Sequence, residues 1–135
     1  MRIHHVGYVV RSIQQAAPGF IDSLDLDWDG RVIHDPLQTV CVSFFHPKAA
    51  GSPSIELVEP AGAGSAVERF LKNGGGLHHL CFEVDSLEAQ LERSKASRDL
   101  IVQSPVPAVA FDGRRIAWVY TKNKLLVEYL ETCLK

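Results

Sequence analysis

The sequence predicts an α+β domain made from a duplicated β-α-β-β-β unit, and three observations carry that expectation. First, residues 3–13 (Ile-His-His-Val-Gly-Tyr-Val-Val-Arg-Ser-Ile) return 74 positions later, at 77–87, as Leu-His-His-Leu-Cys-Phe-Glu-Val-Asp-Ser-Leu. His4/His78, His5/His79, Val10/Val84 and Ser12/Ser86 are identical, while Ile3/Leu77, Val6/Leu80, Tyr8/Phe82 and Ile13/Leu87 are close exchanges. Second, each copy runs from a β-branched and aromatic stretch into a serine suited to cap a helix. Third, Ser-Ile-Glu-Leu-Val-Glu at 54–59 matches Leu-Val-Glu-Tyr-Leu-Glu at 126–131 with an offset of 72, pairing Glu56 with Glu128 and Glu59 with Glu131.

Each half therefore opens on a strand. The helix after Ser86 follows from Leu87 and Leu91, four apart on one face, with Glu88, Glu92, Arg93 and Lys95 elsewhere. The helix after Ser12 contains Pro18, which removes one backbone donor and is expected to kink it. Further strands are expected at 39–45 (Thr-Val-Cys-Val-Ser-Phe-Phe) and 115–120 (Arg-Ile-Ala-Trp-Val-Tyr), with turns marked just ahead by Asp35-Pro36 and Asp112-Gly113. Pro60–Ser65 is small and flexible and leads to a short amphipathic helix around Ala66–Leu71, stopped by Gly74-Gly75-Gly76. The expected organisation is one domain over 1–135, with a module at 1–62, a linker helix at 63–74 and a module at 75–135. Neither module is large enough to bury a core alone.

Composition narrows the function classes. Hydrophobic residues make up 46% and charged residues 22%, a balance suited to a packed globular core. A formal charge of -2 supplies no basic field for nucleic acid or an anionic membrane. No apolar run approaches the roughly 20 residues of a membrane span, and the opening Met-Arg-Ile-His-His is unlike a signal peptide. Cys41, Cys81 and Cys133 are odd in number and widely spaced, which argues against a disulfide framework and for a cytoplasmic protein.

The six histidines stand out, four of them in the two repeated pairs. If equivalent residues converge near a pseudo-twofold axis, one histidine from each pair meets Glu56 and Glu128. Two imidazoles and two carboxylates suit a divalent Mn, Fe, Co, Ni or Zn ion. Strand alternation puts the two members of each His-His pair on opposite faces, and the repeat alone leaves open which one points inward. Alternation also separates Glu56 from Glu59 and Glu128 from Glu131, which lie three apart.

With these segments in view, the sequence resembles the vicinal-oxygen-chelate superfamily, also called the glyoxalase/bleomycin-resistance/dioxygenase superfamily, and within it the methylmalonyl-CoA epimerases. The likeness runs through the opening strand and helix, Ile-Glu-Leu-Val-Glu-Pro (55–60), Gly-Gly-Leu-His-His-Leu-Cys-Phe-Glu-Val-Asp (75–85) and Leu-Val-Glu (126–128). The third of these, with its histidine pair, is the most specific. The resemblance implies two βαβββ modules in a curved, eight-stranded mixed sheet with a metal site in its concave face. It also implies the ligand set His5, Glu56, His79 and Glu128, spaced by 51, 23 and 49 residues, and one divalent ion (Co, Ni, Zn or Mn). His4 and His78 are then packing residues.

Such a site stabilises an enolate of a small carbonyl or acyl-thioester substrate, with Glu128 or Glu56 carrying the α-proton. The resemblance thus implies an epimerase-like isomerase, with a lactoylglutathione lyase (glyoxalase I)-type isomerase or a non-catalytic ligand-binding and resistance protein as alternatives. Its expected partners are a small molecule and a second copy of the chain, as a homodimer. One departure is plain. Epimerases of this type carry a glutamate in a Glu-Gln-Gly-Val-like segment ahead of the strand at 39–45, where this chain has Leu37, followed by Gln38.

Overall fold

The computed structural model describes residues 1–132; Cys133 lies outside the described residues. Among the described residues, nine strands in mixed pairing and three α-helices make an α+β fold. The chain divides into two compact units, His5–His78 and the pair of segments Met1–His4 and His79–Lys135. No helix among the described residues is long and apolar enough to cross a membrane.

The unit spanning His5–His78 contains most of β1 (Arg2–Val9), then α1 (Ile13–Leu24), β2 (Leu26–Trp28), β3 (Ile33–Asp35), β4 (Val40–Pro47), β5 (Ser54–Pro60) and α2 (Glu68–Lys72). β1 and β5 are parallel, β4 runs antiparallel to β5, and both β2 and β3 pair with β4. The expected β-α-β-β-β pattern thus gains a strand, because the stretch between α1 and β4 forms two three-residue strands that share one partner. The Ser12 hydroxyl accepts from the Gln15 amide and caps α1. Pro18 lies inside α1 without ending it.

One face of this unit is apolar. Ile13 and Ala17 of α1 bury against Leu26, Phe45 and Leu57, with Trp28 stacked on Phe45 at 4.9 Å. The helix stop proposed at Gly74–Gly76 holds, since the Gly75 amide donates back to the Phe70 carbonyl. Gly75 has φ +67, and a Cβ there would stand 2.9 Å from the Val9 carbonyl oxygen, so only glycine fits this return.

The other unit repeats the plan. It holds the rest of β6 (Gly76–Val84), α3 (Leu87–Ala96), β7 (Leu100–Pro107), a 3₁₀ turn (Val109–Phe111), β8 (Arg115–Tyr120) and β9 (Leu126–Glu131). β6 and β9 are parallel, with β8 antiparallel to both β9 and β7. Ser86 caps α3 by accepting from the Ala89 amide, as Ser12 does for α1. Leu87 and Leu91 pack on Val84, Ala117, Val119, Val127 and Tyr129. The opposite sheet face buries Cys81, Ile116 and Leu130 with Ala108.

Candidate metal centre

In the unit spanning His5–His78, parallel pairing of β1 and β5 sets His5 opposite Ser54 and Gly7 opposite Glu56. Glu56 therefore stands two residues ahead of His5 in register, on the same face of the sheet. Its Oε1 lies 3.6 Å from His5 Nε2, and both side chains are buried, at 7% and 0% exposure.

The other unit carries the same construction. Cys81 is opposite Glu128, so Glu128 is again two residues ahead of a histidine, His79. Glu128 Oε1 is 3.6 Å from His79 Nε2, with side-chain exposures of 5% and 2%. The structure thus joins His5 to Glu56 and His79 to Glu128 in matching pairs.

That spacing is informative. At 3.6 Å the atoms are beyond ordinary hydrogen-bond range. Two atoms each about 2.1 Å from one cation can be at most about 4.2 Å apart, so each pair fits two donors of a single ion. Imidazole nitrogen with carboxylate oxygen is also a donor set suited to first-row divalent metals. Burying a carboxylate beside an imidazole is costly unless something positive shares the space, which a cation does.

The neighbouring histidines do other work. His4 makes an edge contact with Phe111, ring centroids 5.3 Å apart, and His78 makes one with Phe70 at 4.8 Å. Glu59 and Glu131 leave the His–Glu face as alternation requires. Glu59 accepts from the Ile13 amide at the start of α1, where the helix dipole favours a negative charge. Glu131 takes two hydrogen bonds from Arg115, which hold its carboxyl below the usual range despite the opposing effect of burial.

Arg114 is committed to Glu83 and to the Glu131 carbonyl, so the two arginines hold the fold together. Burial would raise the Glu83 carboxyl, but hydrogen bonds from Arg2 and Arg114 outweigh it and leave the group low. His46 Nδ1 is 2.9 Å from the Ser54 hydroxyl, and His34 is exposed in β3.

Two residues escaped the sequence reading as members of the site. Phe44 is the antiparallel partner of Glu56 and meets the His5 ring edge-on at 5.4 Å. Trp118 is the partner of Glu128 and meets His79 edge-on at 4.7 Å. Their separation of 74 is that of the two histidines, a signal present in the sequence but masked by the Phe-to-Trp exchange.

Comparison with known proteins fits this duplicated arrangement. Residues 4–118 match the family model described as Glyoxalase/Bleomycin resistance protein/Dioxygenase superfamily. The chain belongs to that superfamily. An ethylmalonyl-CoA/methylmalonyl-CoA epimerase of Cereibacter sphaeroides is 30% identical over 131 residues, covering 94% of this chain and 95% of the relative. A protein of Bacillus halodurans, known by its crystal structure, superposes with a TM-score of 0.85 at 28% identity, over 99% of this chain and 96% of its own. The methylmalonyl-CoA epimerase of Mycobacterium tuberculosis shares the fold, with a TM-score of 0.82 at 23% identity and coverage of 98% and 89%.

Against that glyoxalase-superfamily background, the segment around Leu37 has a definite shape. Asp35, 7% exposed, accepts from the amides of Leu37 and Gln38 through Oδ1 and from the Gln38 side chain through Oδ2. Leu37 itself is 72% exposed at the tip of this Asx-type turn. Gln38 is tied to Asp35, and an amide is no general base in any case.

Proposed function

We propose that this chain is a divalent-metal-dependent epimerase-like enzyme acting on an acyl thioester, with His5, Glu56, His79 and Glu128 holding one ion. The observation that carries the reading is the pair of buried His–Glu contacts, each 3.6 Å between Nε2 and Oε1 and each in the same parallel register. The 30% identity to an ethylmalonyl-CoA/methylmalonyl-CoA epimerase supports the substrate class.

When bound, the ion polarises the substrate carbonyl and stabilises the negative charge that develops as the neighbouring proton leaves. The protein does the rest. All four side chains project from strands, so backbone pairing holds their spacing and little reorganisation is needed on binding. Glu56 and Glu128 each have a second carboxylate oxygen besides the one facing histidine. One of them would take the α-proton from one face as general base while a second acid delivers a proton to the opposite face, which inverts the carbon.

The test is isotopic. Metal-loaded protein incubated with methylmalonyl-CoA in deuterated water is expected to place deuterium at C2 and to convert one epimer into a mixture of both epimers. Exchange no faster than in buffer would overturn the epimerase reading. Tight, saturable binding of the thioester without exchange would instead establish a ligand-binding protein, the reading that the exposed Leu37 favours.

A further inference from the structure

We propose that Phe44 and Trp118 are positioning residues that orient the His5 and His79 rings toward the metal, an inference that rests on the metal reading above. A histidine ring on a strand keeps a rotational freedom of its own. Its terminal torsion joins an sp³ to an sp² carbon and has broad wells, so a ring on a strand is not aimed by its backbone alone. A ligand ring must be held within about 10–20° for a productive site.

The two aromatics are placed to impose that restraint. Phe44 lies on β4 directly across from Glu56 and meets the His5 ring at 5.4 Å with an interplanar angle of 73°. Trp118 lies on β8 directly across from Glu128 and meets the His79 ring at 4.7 Å and 78°. Each aromatic therefore touches the histidine while standing as cross-strand neighbour of the glutamate, and so braces both members of its pair. Near-perpendicular contact is the favoured geometry for aromatic rings and selects one ring tilt over others.

Neither aromatic belongs to the helix-packed face of its unit. Strand alternation turns Phe44 away from Phe45, and it is Phe45 that packs with Ile13 and Ala17 of α1. Trp118 likewise alternates with Ala117 and Val119, which pack with Leu87 and Leu91 of α3; on its own face it packs on Cys81, Ile116 and Leu130 and also meets the His79 ring. The aromatics belong to the His–Glu face, and they recur at the 74-residue offset of the histidines themselves. Side-chain size changes between the copies, but the perpendicular contact persists.

The experiment uses the full chain, stripped of metal and titrated with Co²⁺ by calorimetry, with the visible absorption of the Co²⁺ protein recorded and the metal-free Tm measured alongside. Phe44→Leu and Trp118→Leu are expected to weaken Co²⁺ binding about 10- to 100-fold, the range for residues that orient metal ligands, and to change the absorption bands. Trp118→Phe, which copies the other half, is expected to keep affinity within about threefold because the edge contact survives.

Trp28 and Trp118 are the two tryptophans, so a Trp28→Phe background leaves Trp118 as the emitter and saturating Co²⁺ is expected to quench it. This readout needs no destabilising change at the site. Leucine variants with the parental affinity and spectrum overturn the inference, as does Co²⁺ binding that leaves Trp118 emission untouched. A parent chain that takes up no Co²⁺ overturns the metal reading itself and this inference with it.

Discussion

Replacing Glu128 with glutamine is the sharpest perturbation of the site. The residue is 4% exposed and its Oε1 lies 3.6 Å from His79 Nε2. Glutamine preserves shape and leaves no cavity but removes the charge that attracts a cation. With free metal at 1,000 times the dissociation constant, binding stabilises the folded chain by about 4.1 kcal/mol. Unfolding entropy of about 2.1 cal/mol/K per residue amounts to roughly 0.28 kcal/mol/K for 135 residues, so the parental Tm is expected to rise by about 14 °C.

Changes to residues that merely orient a ligand weaken binding about 10- to 100-fold, and loss of the ligand's own charge is expected to reach at least the upper end. At the same metal concentration the variant then retains about 1.4 kcal/mol, a shift of about 5 °C. The metal-free Tm is expected to move by less than about 4 °C, because an isosteric change of this kind costs about 1 kcal/mol or less. Thermal unfolding with chelator and with metal measures both shifts. A variant that keeps the full metal-induced shift would refute the assignment of Glu128 as a ligand.

Two further outcomes are expected. Leu37→Glu, at a position 72% exposed, is expected to leave Tm unchanged within about 0.5 kcal/mol of stability and to speed inversion at C2 of methylmalonyl-CoA, read by circular dichroism or a coupled assay. An unchanged rate would show that position 37 does not serve the reaction. Arg115 holds the Glu131 carboxyl below its ordinary value of 4.5, so this contribution is complete above pH 4.5 and is lost as pH falls through the lowered value. Arg115→Gln is therefore expected to lower denaturant stability at pH 7, with the deficit shrinking below pH 4.5; a deficit constant with pH would exclude the ion pair as its source.

Much of the fold was legible because its signals are local. Ser12 and Ser86 cap α1 and α3 through hydroxyls reaching amides three residues ahead, an interaction contained in four residues. Strands β8 and β9 begin and end where the β-branched runs predict, and Ser54–Glu59 differs from β5 by a single residue. The helix around Ala66–Leu71 forms slightly later, at Glu68–Lys72, since the Ser65 amide donates within a turn to Gly62 and the Ala66 amide donates to the distant Gln38 carbonyl instead. Strands β2 and β3 were not legible. Three residues carry no period, and both exist only because β4 supplies the hydrogen-bonding partner.

The candidate site divides along the same line. By itself the sequence determined that the chain is a duplication, that Glu56 and Glu59 face opposite ways, and that two histidines and two glutamates recur in step. Periodicity along one strand is enough for each of these. Which member of each His-His pair meets a glutamate is a matter of register between strands some fifty residues apart, and no local pattern encodes it. The tertiary structure decided that, putting His5 and His79 beside their carboxylates while His4 and His78 turn to Phe111 and Phe70. It also brought in Phe44 and Trp118, whose contacts run across the sheet where sequence distance carries no information.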